Sequence, residues 1–312
     1  MTFHILHCIV GLLLLLLGGE WLVRGSVGIA QRLRLSPMVI GLTVVSFGTS
    51  APEFIVSLQA ALHGSSGIAL GNVIGSNIAN IALILGVTAI LFPIPVAGST
   101  LKVDTPLLLT ASVLLTICCH FTHALTRTEG ILGFAVMLAY VTLLVIHSRK
   151  RSAADAGEPA SMASMKLPKA LALVLLSVIA LKYGAGLLVD GAAQMARTVG
   201  VSDRVVGLTV VAIGTSLPEL FASIVAARKG SVDMAVGNAI GSNLFNLLGV
   251  LSASAAISPI THISAAFTVD CIWMIALTLL IWLLMRTDYL LTRIEGAVLL
   301  AVYVVYILSA AW

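Results

Sequence analysis

Long apolar runs, separated by short polar or glycine-rich breaks, occupy the chain from end to end. They cover roughly 4–23, 36–62, 68–92, 104–122, 128–147, 168–190, 203–227, 233–258, 266–285 and 289–311, each close to the length of about 20 residues that a membrane-crossing helix needs. Alternation with period 2, the mark of a membrane barrel strand, is absent. The pattern predicts an all-α membrane protein with about ten transmembrane helices. The first run lacks a basic leader and a clear small-residue cleavage site, so it is read as a span and not as a signal peptide.

Composition agrees with this reading. Of the 312 residues, 59% are hydrophobic and only 10% charged, with a mean hydropathy of +1.11. Soluble domains carry about 25% charged residues, so a water-soluble enzyme, a nucleic-acid-binding protein and a disordered chain are all excluded. The four cysteines (Cys8, Cys118, Cys119 and Cys271) sit in apolar runs without C-x-x-C spacing, which argues against a disulfide framework or a zinc site.

Charge placement then orients the chain. With the N-terminus outside, 13 of the 17 basic residues fall on the inner side, among them Arg24, Arg32, Arg34, Lys102, Arg149, Lys150, Arg151, Arg228 and Lys229. Positive charge concentrates on cytoplasmic loops, so N-out/C-out is expected. The longest polar stretch, 148–167, reads as a cytoplasmic linker between a first five-helix unit over 1–147 and a second over 168–312.

The two units are copies. At an offset of 166 residues, 23 of the 40 positions from 41 to 80 are identical without a gap, and the register persists at Pro93/Pro259, Asp104/Asp270, Arg127/Arg293, Glu129/Glu295 and Tyr140/Tyr306. A fixed offset held over such a distance marks a true internal repeat. Five spans is an odd number, so the second copy enters the membrane from the opposite side. Inverted repeats of this kind build secondary transporters, with the site near the midplane where the copies meet.

The densest self-match supplies the chemistry. Gly48-Thr49-Ser50-Ala51-Pro52-Glu53 matches Gly214-Thr215-Ser216-Leu217-Pro218-Glu219, and each string lies inside an apolar span. A carboxylate at that depth costs several kcal/mol unless it has partners. Proline lacks an N–H and clashes with the carbonyl four residues back, so Pro52 frees the carbonyl of Gly48 and Pro218 that of Gly214. Thr49 and Glu53 share a helix face, with Ser50 close to Glu53. In the second pair, Gly71-Asn72-Val73-Ile74-Gly75-Ser76-Asn77-Ile78-Ala79-Asn80 matches Gly237-Asn238-Ala239-Ile240-Gly241-Ser242-Asn243-Leu244-Phe245-Asn246. Asn72, Ser76 and Asn80 line one face, as do Asn238, Ser242 and Asn246, while the glycines are spaced for close helix packing. Carboxylates, hydroxyls, amide oxygens and free carbonyls are hard ligands that suit Na⁺ or Ca²⁺. The two glutamates can be neutralised by one Ca²⁺ or by two Na⁺, a competition that yields exchange.

These strings resemble the two alpha-repeats of the sodium/calcium exchangers, within the cation/Ca²⁺ exchanger superfamily, in their prokaryotic form. The resemblance covers nearly the whole chain. It implies a secondary antiporter, not an enzyme, that exchanges Na⁺ for Ca²⁺ across a lipid bilayer by alternating access, with those ions as substrates and no cofactor. By similarity Glu53 and Glu219 hold Ca²⁺ centrally. Thr49, Ser50, Ser76, Thr215, Ser216 and Ser242 supply oxygens to flanking Na⁺ sites, helped by the carbonyls of Ser46 and Ala212. Asn80 and Asn246 lie between the halves, and the first and sixth helices slide as a gating pair. Some microbial exchangers of this type carry Asp where this chain has Asn246, so the site here has one carboxylate fewer, which bears on proton competition and ion stoichiometry. H⁺-coupled and K⁺-dependent exchange are the rival readings; a cation channel fits a site built within one chain less well. The short loops suit a bacterial inner membrane.

Elsewhere, Glu20 and Arg24 read as a local ion pair, Asp104 and Asp270 as helix-start carboxylates, and Arg127/Glu129 with Arg293/Glu295 as interfacial anchors.

Overall fold

The computed structural model describes residues 2–33, 35–154, 165–198, 214, 216–261, 263–264 and 266–310. Over these the chain is helical apart from two short strand pairings. The first half comprises α1 (Thr2–Leu33), α2 (Pro37–Thr49), α3 (Ala51–Leu62), α4 (Gly67–Leu91), α5 (Thr100–Thr122) and α6 (Arg127–Ala154). The second comprises α7 (Leu167–Thr198), α8 (Leu217–Arg228), α9 (Val232–Ile257), α10 (Ala266–Leu284) and α11 (Arg293–Ala310). Among the described residues, seven helices are long and apolar enough to cross a membrane, or eight when the bent pair α2/α3 counts as one span. The expected span over 203–227 is represented by α8; its first part lies outside the described residues, as do residues 155–164 of the expected linker.

Two boundaries differ from expectation. Helix α1 runs on to Leu33 instead of stopping near residue 23. Its polar second part is held by packing along α7 and by Glu20, which pairs with Arg24 and also takes Lys229 Nζ at 3.1 Å from the turn after α8. Helix α6 continues to Ala154, so the polar stretch begins as helix: Arg149, Lys150 and Arg151 are good helix formers, and cations are favoured in a last turn.

Helices α4 and α9 form the centre. Of their apolar windows 83% and 72% are buried, against 28% for both α1 and α7, which face outward along one side as a long pair. Helix α9 presses on α2 closely. A Cβ on Gly237 would stand 2.6 Å from the Met38 carbonyl, and one on Gly41 2.6 Å from the Met234 carbonyl. Only glycine allows that approach.

The repeat is visible in the backbone. Ser50, where α2 breaks from α3 with a bend of 51°, has φ −85° and ψ 8°; Ser216, before α8, has φ −91° and ψ 4°. Strand β1 (Ile94–Pro95) follows α4 and pairs antiparallel with β2 (Leu290–Leu291) before α11, placing Ile94 opposite Leu291. At the other end of the bundle Leu125, before α6, bridges Ile260, after α9. These are the same two positions exchanged between copies, so each half contributes one partner at either end.

Asp104 and Asp270 are not helix-start groups. Each sits four residues into its helix and accepts from a tyrosine of the last helix in its own half: Tyr140 Oη donates to Asp104 at 2.8 Å and Tyr306 Oη to Asp270 at 3.4 Å. Burial explains the change, since Asp104 is sealed from solvent and a buried carboxyl needs a donor. Glu129 and Glu295 are likewise more than surface anchors. Each closes a reciprocal capping box: Thr126 N–H reaches Glu129 at 2.7 Å and Glu129 N–H reaches the Thr126 hydroxyl at 3.3 Å, with Thr292 and Glu295 repeating both distances.

Candidate functional site

Each glutamate stands in the first turn of the helix that follows a break. Pro52 and Pro218 occupy that same turn, where a missing N–H costs nothing, and neither can donate to the carbonyl four residues before it. The chain therefore restarts a helix with a carboxylate at its N-terminus, in the field of that helix dipole. Glu53 and Glu219 are 2% and 1% exposed, one from each half.

An asparagine one helix away anchors each break. Asn72 on α4 donates its amide to the Glu53 carbonyl at 3.1 Å and to Ser57 Oγ at 2.9 Å. Asn238 on α9 does the same to the Glu219 carbonyl at 3.3 Å and to Ser223 Oγ at 3.0 Å. These four contacts hold the backbone beneath each carboxylate and leave its side chain free to turn toward the other half.

The hydroxyls of the first break serve the second half. Ser50 Oγ donates to Glu219 Oε1 at 3.2 Å, and Thr49 Oγ1 donates to Asn238 Oδ1 at 3.2 Å. The spacing argument had placed both beside Glu53; the bend after Thr49 turns them across the interface instead. The Ser46 carbonyl, expected to help at a flanking Na⁺ position, accepts Ser50 N–H at 2.9 Å and the Thr49 hydroxyl at 3.4 Å, because α2 stays helical up to the break. Thr215 and Ala212 lie outside the described residues.

Asn80 and Asn246 meet the opposite half, as expected. Asn80 Nδ2 donates to Asn243 Oδ1 at 2.9 Å and Asn246 Nδ2 to Asn77 Oδ1 at 3.3 Å. Each lies in a wide π-turn, Asn80–Leu85 in α4 and Phe245–Leu251 in α9, a local widening common where helices carry function. Ser76 and Ser242 are buried one turn earlier.

What remains is a set of oxygens. Glu53 Oε2, Glu219 Oε2, Asn80 Oδ1, Asn246 Oδ1, Ser216 Oγ and Ser242 Oγ are buried and have no hydrogen-bond partner among the described residues. Buried acceptors are nearly always satisfied in folded proteins; other buried oxygens, such as Thr88 Oγ1 and Asp104 Oδ2, are also without a partner among the described residues, but these six lie on the facing motifs of the two halves and are of the hard kind that can hold a cation. The sequence reasoning had passed over Ser57, Ser223, Asn77 and Asn243. Their signal was present, since both pairs are identical across the repeat.

The comparisons with known proteins follow this geometry. The model of the family described as "Sodium/calcium exchanger protein" matches residues 3–146 and again 169–312. CaxA of Alkalimonas amylolytica is 40% identical over 305 residues, covering 96% of this chain and 95% of that one. The inner membrane protein YrbG of Escherichia coli is 39% identical over 259 residues, covering 80% and 79%. Among solved structures, the sodium-calcium exchanger NCX_Mj soaked without Na⁺ and Ca²⁺ superposes with a TM-score of 0.82 at 31% identity, covering 99% of each chain. This integral membrane protein belongs to the sodium/calcium exchanger family.

Proposed function

We propose that the chain is a secondary antiporter that exchanges Na⁺ for Ca²⁺ by alternating access, at a midplane site to which both halves contribute. The observation that carries this reading is the group of six buried oxygens without a partner among the described residues, one carboxylate and one amide oxygen from each half and two hydroxyls from the second. Glu53 and Glu219 are the ligands of Ca²⁺. Thr49, Ser50, Ser76, Thr215, Ser216 and Ser242, with the carbonyls of Ser46 and Ala212, complete the flanking Na⁺ positions. Asn80 and Asn246 offer neutral oxygens between the halves. An empty site holding two carboxylates is costly to move through the bilayer, so ion-loaded forms cross and empty ones do not, which is what couples the two fluxes.

In this reading the chain crosses the membrane ten times, N-out and C-out, as two inverted five-helix units over 1–147 and 168–312 joined by the cytoplasmic segment 148–167. The outward-facing pair α1/α7 slides along the buried centre. The name of the relative YrbG supports placement in a bacterial inner membrane.

Ca²⁺ uptake by the purified protein in Na⁺-loaded liposomes tests this. Uptake should require the outward Na⁺ gradient and vanish in Glu53→Gln and in Glu219→Gln. Uptake indifferent to Na⁺ but driven by a pH gradient, or by K⁺, would keep the site and overturn the coupling ion. Flux that neither saturates nor needs a counter-ion would indicate a channel.

A further inference from the structure

An asparagine side chain presents oxygen on one edge and NH₂ on the other, and a half-turn about its last bond exchanges them. A cation accepts the first and is repelled by the second. Any site that uses neutral amides as ligands therefore needs something that fixes which edge faces inward. In this molecule the chain of hydrogen bonds that does so starts from two backbone carbonyls, whose role as acceptors is never in doubt. Asn243 Nδ2 donates to the Asn77 carbonyl at 3.0 Å, and Asn77 Nδ2 donates to the Asn243 carbonyl at 3.5 Å. Those bonds turn the Oδ1 atoms of Asn243 and Asn77 toward Asn80 and Asn246, and an oxygen can be faced only by a donor. Asn80 and Asn246 must then offer their NH₂ edges, at 2.9 and 3.3 Å. Their own oxygens are driven to the far side, where both are buried and without partners.

We propose that Asn77 and Asn243, which touch no expected ion position themselves, are positioning residues that lock the amide oxygens of Asn80 and Asn246 toward the cation. The proposal rests on the reading of Asn80 and Asn246 as ligands. Both locking residues are completely buried; their two reciprocal bonds close across the halves, and Asn80 and Asn246 each hang from the locking residue of the opposite half, so each half sets the ligand of the other. The lock matters at position 246 in particular, where an amide stands: a carboxylate presents oxygen whichever way it turns, but an amide does not.

The test is a pair of double-mutant cycles read by equilibrium binding of radiolabelled Ca²⁺ to the full-length protein in Na⁺-free detergent solution. Asn243→Leu should lower Ca²⁺ affinity by about 10–100-fold, the usual effect of losing a group that orients a metal ligand. In an Asn80→Asp background the same substitution should cost nothing, because the aspartate needs no orientation. Asn77→Leu with Asn246→Asp forms the second, independent cycle and decides the matter if the Asn243 variant fails to fold. A loss of equal size in both backgrounds would mean general damage to packing and would overturn the lock, as would unchanged affinity in the single variants. Glu53→Gln and Glu219→Gln serve as the reference. If they retain full Ca²⁺ binding, the site itself is misplaced and the lock falls with it; if they lose binding while the cycles show no coupling, the lock alone is wrong.

Discussion

At Ser50 and at Ser216 the chain turns through almost the same backbone angles, before the same proline and the same glutamate, over an asparagine that clamps the same carbonyl. Their hydroxyls nevertheless do different things. Ser50 Oγ crosses to Glu219, while Ser216 Oγ is buried with no partner among the described residues. Sequence symmetry makes the two breaks interchangeable parts, and the structure uses them unequally. In the alternating-access reading proposed above, exchanging the roles of the two breaks turns the site to the opposite side of the membrane.

The most severe way to probe the comparison is to remove the break itself. Pro52→Ala restores an N–H that can reach the Gly48 carbonyl and straighten the passage from α2 to α3; Pro218→Ala does the same before α8. Each should lower Na⁺-driven Ca²⁺ uptake in liposomes by about tenfold or more, since ligand geometry is lost. Two breaks that exchange roles within one transport cycle must both be needed, so losses of similar size sharpen the comparison. A loss confined to one proline would show that the other break is only an inherited form.

Much of this was legible beforehand, and the limits are physical. The helices, the repeat, the buried glutamates and the glycine that brings α9 against α2 all follow from apolar run length and from one offset. Contacts across the halves do not. Spacing along a helix fixes which residues share a face, yet not which neighbour that face meets. Spacing therefore assigns Ser50 to Glu53 when the bend delivers it to Glu219, and it singles out neither Asn77 nor Asn243. The strands β1 and β2 are too short to leave a period. The end of α1 lies further on than the apolar run because polar residues can remain helical when a neighbour packs against them, and that of α6 because its lysine and arginines are good helix formers in their own right.

A gentler comparison removes one hydroxyl at a time. Ser50→Ala takes a donor from a buried carboxylate, a bond of the kind that contributes about 2 kcal/mol, and should lower the thermal stability of the ion-free protein accordingly. Ser216→Ala removes a hydroxyl that bonds to nothing described and should stay within about 0.5 kcal/mol. Unfolding of both variants in detergent, without Na⁺ or Ca²⁺, measures the difference. Equal losses would show that the asymmetry of the breaks does not govern the empty protein in solution.

The smallest effect is expected at the two tyrosine–aspartate pairs, where the halves again differ in degree. Tyr140 donates to a sealed Asp104 at 2.8 Å, whereas Tyr306 reaches a partly exposed Asp270 at 3.4 Å. Removing a donor from a buried acceptor costs more than removing one from an acceptor that water can serve. Tyr140→Phe should therefore destabilise by about 1.5 kcal/mol, less than the full desolvation cost because the Thr100 hydroxyl, one turn before Asp104 on the same helix, can turn to replace part of the bond. Tyr306→Phe should remain within about 0.5 kcal/mol. Adding Thr100→Val to Tyr140→Phe removes the substitute and should deepen the loss beyond the sum of the single variants. Additivity there would mean that Thr100 never reaches Asp104, and the first half would then hold its buried aspartate through Tyr140 alone.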